Sequence, residues 1–127
     1  MKRLIGFFVT VLILSNFVAC AQTVPPENNI TVKELKTKMK ENPDLIILDV
    51  RTPKELNGPL GKIDGAINIP VQELDKRVDE LDRYKDKEIA VICRTDNRSS
   101  IATKILMGHG FNKVENVKGG MTAYRNQ

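Results

Sequence analysis

The sequence predicts an α/β domain built around a parallel β-sheet. Two nearly continuous apolar runs, at residues 45–50 and 89–92, are rich in β-branched side chains, which is typical of strands buried on both faces of a sheet. Segments in which apolar residues recur at helical spacing alternate with these runs along the chain. Such alternation favours parallel strands joined by right-handed helical crossovers.

The other elements follow in chain order. Thr31 and Glu34 have the spacing of a capping box, so a first helix is expected to begin there and to end before Asn42-Pro43. Pro53 suits the first position of a short helix over residues 54–57, because its missing N–H has no helical partner at that position. The later predicted elements are a strand at 66–69, an amphipathic helix at 71–81, a helix at 99–107, a strand at 113–117 and a final helical segment after Gly119-Gly120.

Length and charge limit the possible classes of function. The chain has 127 residues, enough for one domain with one core. Its formal net charge is +4, and two of the basic residues, Lys2 and Arg3, lie at the extreme N-terminus. Because the rest of the chain is nearly balanced and holds no basic run, nucleic-acid binding is not predicted. No cofactor motif and no metal-ligand spacing is present in the sequence.

The N-terminal segment predicts export. A basic start is followed by apolar residues 4–19, a run shorter than the roughly 20 residues of a membrane-spanning helix. Three alternatives remain open: lipidation of Cys20 at a sequence that resembles a bacterial lipobox, cleavage before Gln22, and an uncleaved anchor. All three place the domain outside the cytoplasm, in the periplasm or cell envelope, and the first makes it a membrane-anchored lipoprotein. The predicted organisation is a signal segment at 1–20, a polar tether at 21–29 and a folded domain at 30–127.

Cysteine usage singles out one thiol. Cys20 and Cys93 are the only cysteines in the sequence, and cleavage or lipidation at the signal would leave Cys93 alone in the domain. Exported proteins usually pair their cysteines as disulfides, so an unpaired one indicates a reactive group. Without a second thiol in the domain, internal dithiol chemistry is excluded.

Cys93 lies between a predicted strand and a predicted helix. The polar residues 94–98 suit a tight loop, in which successive backbone N–H groups can form an anion-binding nest. The N-terminus of the following helix adds partial positive charge, and Arg94 and Arg98 add two cations. These features favour a thiolate at Cys93 and an anionic ligand beside it. Ligands of open α/β sheets bind beyond the carboxyl ends of the strands, which is where Cys93 is expected.

Four segments of this sequence resemble the rhodanese-domain sulfurtransferases. Residues 93–99, Cys-Arg-Thr-Asp-Asn-Arg-Ser, are similar to that family's active-site loop, Cys-Arg-(Ser/Thr)-Gly-X-Arg-Ser. Residues 48–52, 61–70 and 117–121 resemble three further segments of the family, in the same order. The resemblance extends over residues 30–125 and implies a rhodanese fold, a five-stranded mainly parallel sheet flanked by helices.

The resemblance implies sulfur transfer through a persulfide on Cys93. The donor would be thiosulfate or a similar small sulfur-containing anion, and the acceptor a thiol, cyanide or a carrier protein, with no cofactor. In the family, a loop of six residues, as from Cys93 to Arg98, accompanies sulfur transfer, whereas a longer loop accompanies phosphatases and arsenate reductases. A non-catalytic binding or sulfur-sensing module is the main alternative. The implied substrate-binding residues are Arg94, Thr95, Asp96, Asn97, Arg98 and Ser99.

Several side chains leave alternatives open at this stage. Arg98 pairs with donor oxygens or braces the loop, and Asp49 and Arg51 support the loop or form a surface pair. Asp96 stands where the family commonly has Gly, so it either alters donor binding or takes the left-handed backbone conformation of that Gly. Lys62 and Met121 replace the usual His and Trp of the family. The single histidine, His109, is expected at the C-terminus of the helix that follows the loop, far from Cys93.

Overall fold

A computed structural model describes residues 24–127, so the predicted signal segment and Cys20 lie outside the described residues. Five strands form one sheet in the order β1-β5-β4-β2-β3, and each neighbouring pair runs parallel. This arrangement confirms the predicted α/β class with a parallel sheet. The strands are β1 Asn29–Ile30, β2 Ile46–Asp49, β3 Ile67–Asn68, β4 Ile89–Ile92 and β5 Val114–Val117.

Helices cover both faces of the sheet. One face carries α1 and α5, which contact each other, and the other carries α3 and α4. The short helix α2 follows β2 and lies above the carboxyl ends of the strands. The helices are α1 Val32–Glu41, α2 Pro53–Leu56, α3 Val71–Arg77, α4 Asn97–Gly108 and α5 Gly120–Asn126.

Strand β4 lies at the centre of the sheet and is buried on both faces. Ile89 and Val91 belong to the core beneath α3 and α4, and Ala90 and Ile92 belong to the core beneath α1 and α5. The same alternation explains why this run is apolar without interruption. Cys93 follows β4 directly, so the sheet places it at the middle of its carboxyl edge.

The folded part begins earlier than predicted. Residues 26–28 form a 3₁₀ turn, and Asn29 pairs with Asn116 in the first strand, although the sequence pattern places residues 26–29 in the tether. The Asn28 side chain also donates to the Val114 carbonyl at 2.9 Å, which attaches this turn to β5. The end of the predicted tether therefore belongs to the domain. Within residues 24–127 no helix has the length and apolar character needed to cross a bilayer.

The helix predicted over residues 71–81 is in fact two elements. Helix α3 ends at Arg77, and a 3₁₀ helix continues over Val78–Tyr84. Leu74, Val78 and Leu81 are all buried, as their spacing requires. Because a 3₁₀ helix has three residues per turn, residues three apart share a face there, and the apolar pattern does not distinguish the two helix types.

Helix α4 begins two residues before the predicted start. Asn97 and Arg98, which the sequence pattern places in the loop, form its first turn, and their polarity hides them from the apolar pattern. At the other end His109 is the C-cap residue, which confirms its predicted place. Its Nε2 lies 2.8 Å from Asp75 Oδ1, so the imidazole contacts α3 at the far end of α4 from Cys93.

Candidate active site

The Cys93 thiol is buried and hydrogen-bonded to Ser99. The residue is 1% exposed, and its Sγ donates to the Ser99 hydroxyl oxygen at 3.3 Å. Ser99 is itself buried in the first turn of α4, and its hydroxyl donates to the Asp96 carbonyl at 3.1 Å. Because a hydroxyl rotates freely about its C–O bond, Ser99 can donate to a sulfur anion once Cys93 loses its proton.

Helix α5 fixes the backbone of the loop. The N–H of Met121 donates to the Cys93 carbonyl at 2.8 Å, and the N–H of Thr122 donates to the Arg94 carbonyl at 3.0 Å. In a trans peptide the C=O and the following N–H point in opposite directions. The N–H groups of Arg94 and Thr95 therefore point away from α5.

The loop presents a run of backbone donors. Within residues 24–127, the N–H groups of residues 94–99 donate to no protein acceptor. Those of residues 97–99 belong to the first turn of α4, where helical partners are missing and the helix dipole is positive. Such a set of donors is suited to an anion beside Cys93, as the sequence predicted.

Arg98 braces the loop against α2. Its two Nη atoms each lie 2.7 Å from a carboxylate oxygen of Glu55, so the pair is bidentate. Glu55 also accepts from the N–H and the hydroxyl of Thr52, both at 2.9 Å, at the start of α2. Of the two alternatives for Arg98, this is the bracing arrangement; donor binding by Arg98 stays a prediction.

The Glu55 carboxylate predicts a pH dependence of stability. The Arg98 hydrogen bond, followed by those from Thr52, lowers the pKa of Glu55 from 4.5 to about 2. Since folding depresses this pKa, the carboxylate stabilises the fold above pH 4.5, and its contribution is lost as the pH falls towards about 2. We therefore expect the difference in free energy of unfolding between wild type and Glu55→Gln to be constant above about pH 5 and to shrink as the pH falls below that value. Urea unfolding at pH 2–7 measures this difference.

The matched control for this prediction is Arg98→Met, which removes the partner instead of the carboxylate. It should also be less stable than wild type near neutral pH, with a difference that shrinks over the same acid range. A difference for Glu55→Gln that stays constant from pH 7 to pH 2 would contradict the assignment.

Asp49 and Arg51 form a buried ion pair at the end of β2. Both side chains are 1% exposed, so the alternative of a surface pair is wrong. Arg51 Nη2 lies 2.7 Å from Asp49 Oδ2, and Arg51 Nε lies 3.0 Å from Asp49 Oδ1. Arg51 Nη2 also donates to the Gly61 carbonyl at 2.8 Å. The pair thus anchors the segment after α2, which borders the loop.

Asp96 does not take the left-handed conformation of a glycine. Its φ is −157°, and no non-glycine residue within 24–127 has a positive φ, so that expectation is wrong. Its carboxylate accepts from Asn116 Nδ2 at 3.0 Å and from Lys118 Nζ at 2.8 Å. Burial raises the pKa of Asp96, but the hydrogen bonds from Lys118 and Asn116 outweigh it and the pKa lies below its ordinary value.

A cavity of about 430 Å³ opens beside the loop. Arg94 and Thr122 line one side, and the apolar segment Gly58-Pro59-Leu60 lines another. Arg94 is exposed and makes no ion pair within the described residues, so its charge is available to a ligand. The side chains of Thr95 and Asn97 are exposed beside it, consistent with either contact to a ligand or a role in the loop alone.

Sequence reasoning missed the residues that hold the loop in place. Glu55 was not singled out, although Thr52 and Glu55 have the same capping-box spacing as Thr31 and Glu34. No sequence motif indicated the contacts of Asn116, Lys118 and the N-terminal amides of α5. These groups are distant from the loop along the chain and lie beside it only in the folded domain.

The sequence of this chain is similar to sequences of known proteins. A family model described as the rhodanese-like domain matches residues 31–127 of this chain. A protein from Allochromatium vinosum named as a sulfurtransferase is 31% identical over 97 residues, a match that covers 76% of this chain and 87% of that protein.

Solved structures show the same fold. A rhodanese-related protein from Thermoplasma volcanium has a TM-score of 0.68 and 34% identity, with 78% of this chain and 91% of that chain covered. A rhodanese-like domain from Anabaena has a TM-score of 0.69 and 30% identity, with 78% of this chain and 74% of that chain covered.

Proposed function

Because the chain belongs to the rhodanese-like domain family, we propose that it is a sulfurtransferase that carries sulfane sulfur as a persulfide on Cys93. The observation that supports this most directly is the arrangement around the thiol. Cys93 lies at the carboxyl edge of the sheet, and the adjoining N–H groups of residues 94–99 have no protein acceptor within residues 24–127. A relative of similar length that is named as a sulfurtransferase supports the same activity.

The proposed reaction has two nucleophilic steps. The Cys93 thiolate attacks the outer sulfur of thiosulfate; a bond forms between the two sulfurs, the bond inside thiosulfate breaks, and sulfite leaves with the electron pair. A thiol, cyanide or a carrier protein then attacks the terminal sulfur of the persulfide. That step transfers the sulfur atom and returns the Cys93 thiolate, so the protein is unchanged over the cycle.

Three kinds of group assist these steps. Backbone N–H groups of residues 94–99 stabilise the negative charge on the thiolate and on the persulfide. The Ser99 hydroxyl, 3.3 Å from Sγ, supplies a side-chain donor to the sulfur. Arg94, the exposed cation beside the cavity, attracts the anionic donor and pairs with its oxygens.

The test is the mass of the purified protein before and after thiosulfate treatment. We expect wild type to gain one sulfur atom, reversibly by dithiothreitol or cyanide, and Cys93→Ser to gain none. Cys20→Ser, where the protein contains Cys20, is the matched control and should gain sulfur as wild type does. A gain that persists in Cys93→Ser would overturn the proposal.

A negative result separates the alternatives. If neither thiosulfate nor polysulfide adds sulfur to Cys93, the non-catalytic binding or sensing module is favoured. Hydrolysis of aryl phosphates without sulfur loading would instead favour a phosphatase, against the expectation from the six-residue loop.

We also propose that the first 20 residues direct export and that the domain works in the cell envelope. The support is the sequence alone, a basic start followed by a short apolar run and Cys20. The mass of the protein isolated from a bacterial membrane fraction tests this. A diacylated N-terminal Cys20 is expected for a lipoprotein, whereas an unlipidated chain that begins at Gln22 would contradict lipidation and retain export.

A further inference from the structure

The loop that follows Cys93 contains a carboxylate, that of Asp96. Asp96 is three residues from Cys93, and its side chain is charged near neutral pH. A negative charge on this loop that no cation balanced would repel an anionic donor. Its effect on the site therefore depends on what surrounds it.

Lys118 neutralises this carboxylate. Lys118 Nζ lies 2.8 Å from Asp96 Oδ2. Because the lysine side chain is 54% exposed, it interacts with Asp96 mainly through its charge and adds little packing to the core. The other carboxylates that contact the loop or its neighbours are also paired, Glu55 with Arg98 and Asp49 with Arg51. Arg94 then supplies the net charge of the site.

Asn116 holds the carboxylate in position. This asparagine is fully buried in β5, and its Nδ2 donates both to Asp96 Oδ1 at 3.0 Å and to Asn29 Oδ1 at 2.8 Å. The geometry of Asp96 is thus set by a neutral buried group, and its charge is balanced by an exposed one. The two roles can be separated by substitution, since Lys118 can be changed without disturbing the core.

We propose that Lys118 determines the charge specificity of the site, because it cancels the charge of Asp96 and so allows the site to accept anionic reagents. This inference rests on the proposed function for the donor's identity, but the charge effect at Cys93 is independent of sulfur transfer. Removing Lys118 should expose the Asp96 charge to the site, and removing both charges should restore the original preference.

The first experiment compares alkylation of Cys93 by iodoacetate, an anion, and iodoacetamide, which is neutral and of similar size. Peptide mass mapping of the full chain follows Cys93 separately from Cys20. In Lys118→Met the ratio of the iodoacetate rate to the iodoacetamide rate should fall by about three- to tenfold at low salt and recover at high salt. The double variant Asp96→Asn/Lys118→Met should return the ratio to the wild-type value.

Lys113→Met is the matched control. It removes the same charge next to the opposite end of β5, and Lys113 makes no ion pair with Asp96. Its alkylation ratio should equal that of wild type. An unchanged ratio in Lys118→Met, or a fall that the double variant does not reverse, would overturn the inference.

The second experiment measures sulfur transfer from thiosulfate by the same variants. Lys118→Met should raise KM several-fold and leave kcat nearly unchanged, because repulsion acts on donor binding. If no variant and no wild-type protein transfers sulfur while the alkylation ratios behave as expected, the proposed function fails and the charge inference stands. A fall in kcat alone, with normal alkylation ratios, would instead indicate a purely structural role for Lys118.

Discussion

Gly120→Ala is expected to lower the proposed sulfurtransferase activity of this protein strongly and to destabilise its fold. A Cβ at Gly120 would lie 2.5 Å from the Cys93 carbonyl oxygen and 2.7 Å from the carbonyl carbon and oxygen of Arg94. These atoms are backbone and cannot rotate away as a side chain would. The active-site loop, or the start of α5, must therefore move.

Two costs combine at this position. Gly120 has a φ of +54°, and that conformation costs an L-residue about 1–2 kcal/mol. Displacing the loop adds to this, so we expect a total loss of about 2–4 kcal/mol in the free energy of unfolding. A loop shift of about 1 Å should lower kcat/KM for sulfur transfer by roughly 100-fold. Urea unfolding and steady-state kinetics measure the two effects.

Two other glycines separate the causes. Gly65 has a φ of +81°, and a methyl group added there would meet no atom within 4 Å, so Gly65→Ala tests the backbone cost alone. Gly108 lies in α4 with open space around it and no positive φ, so Gly108→Ala should keep or slightly raise stability. Both variants should transfer sulfur as wild type does. A loss of activity and stability in Gly65→Ala as large as that in Gly120→Ala would contradict the role of the close contact between residue 120 and the loop carbonyls.

Arg51→Met is expected to destabilise the fold more than Gly120→Ala does, with a smaller effect on activity. It leaves the Asp49 carboxylate buried without its partner and removes the donor to the Gly61 carbonyl. Breaking one side of a buried ion pair typically costs about 3–5 kcal/mol, which we expect here in the free energy of unfolding. The segment that lines the cavity beside Arg94 loses its anchor, so KM for the donor should rise as well.

A double variant tests this explanation. In Asp49→Leu/Arg51→Met no charge remains buried at this position, so its loss in the free energy of unfolding should be smaller than that of Arg51→Met alone. The exposed control is Arg77→Met, which breaks the surface pair with Glu80 and should cost less than about 1 kcal/mol. Equal losses in Arg51→Met and Arg77→Met would contradict the importance of burial.

The sheet and the position of the thiol could be predicted because each depends on a local pattern. The run Ile89–Ile92 is apolar at every position, so its burial on both faces of the sheet and the position of Cys93 after it follow from the sequence. The capping box at Thr31 and Glu34 is likewise contained in four residues, and the structure shows both of its hydrogen bonds.

The contacts that fix the loop could not be predicted in this way. Glu55 is 43 residues from Arg98, and Asp96 is 22 residues from Lys118, so neither pair leaves a periodic or short-range signal. For Asp96 the sequence suggested a local explanation, a left-handed turn, whereas its carboxylate is held by Asn116 on β5 and by Lys118 just after β5. The charged side chains of these pairs come within contact distance only when the strands that carry their segments are in register.

The attachment of the loop to α5 also has a consequence for biosynthesis. Cys93 is made before Met121 and Thr122, whose N–H groups hold the carbonyls of the loop. A nascent chain that ends before residue 120 thus contains Cys93 but lacks the N–H groups of α5 that hold the backbone of its loop. The loop around Cys93 therefore reaches its folded geometry only when α5 has emerged from the ribosome and packed against it.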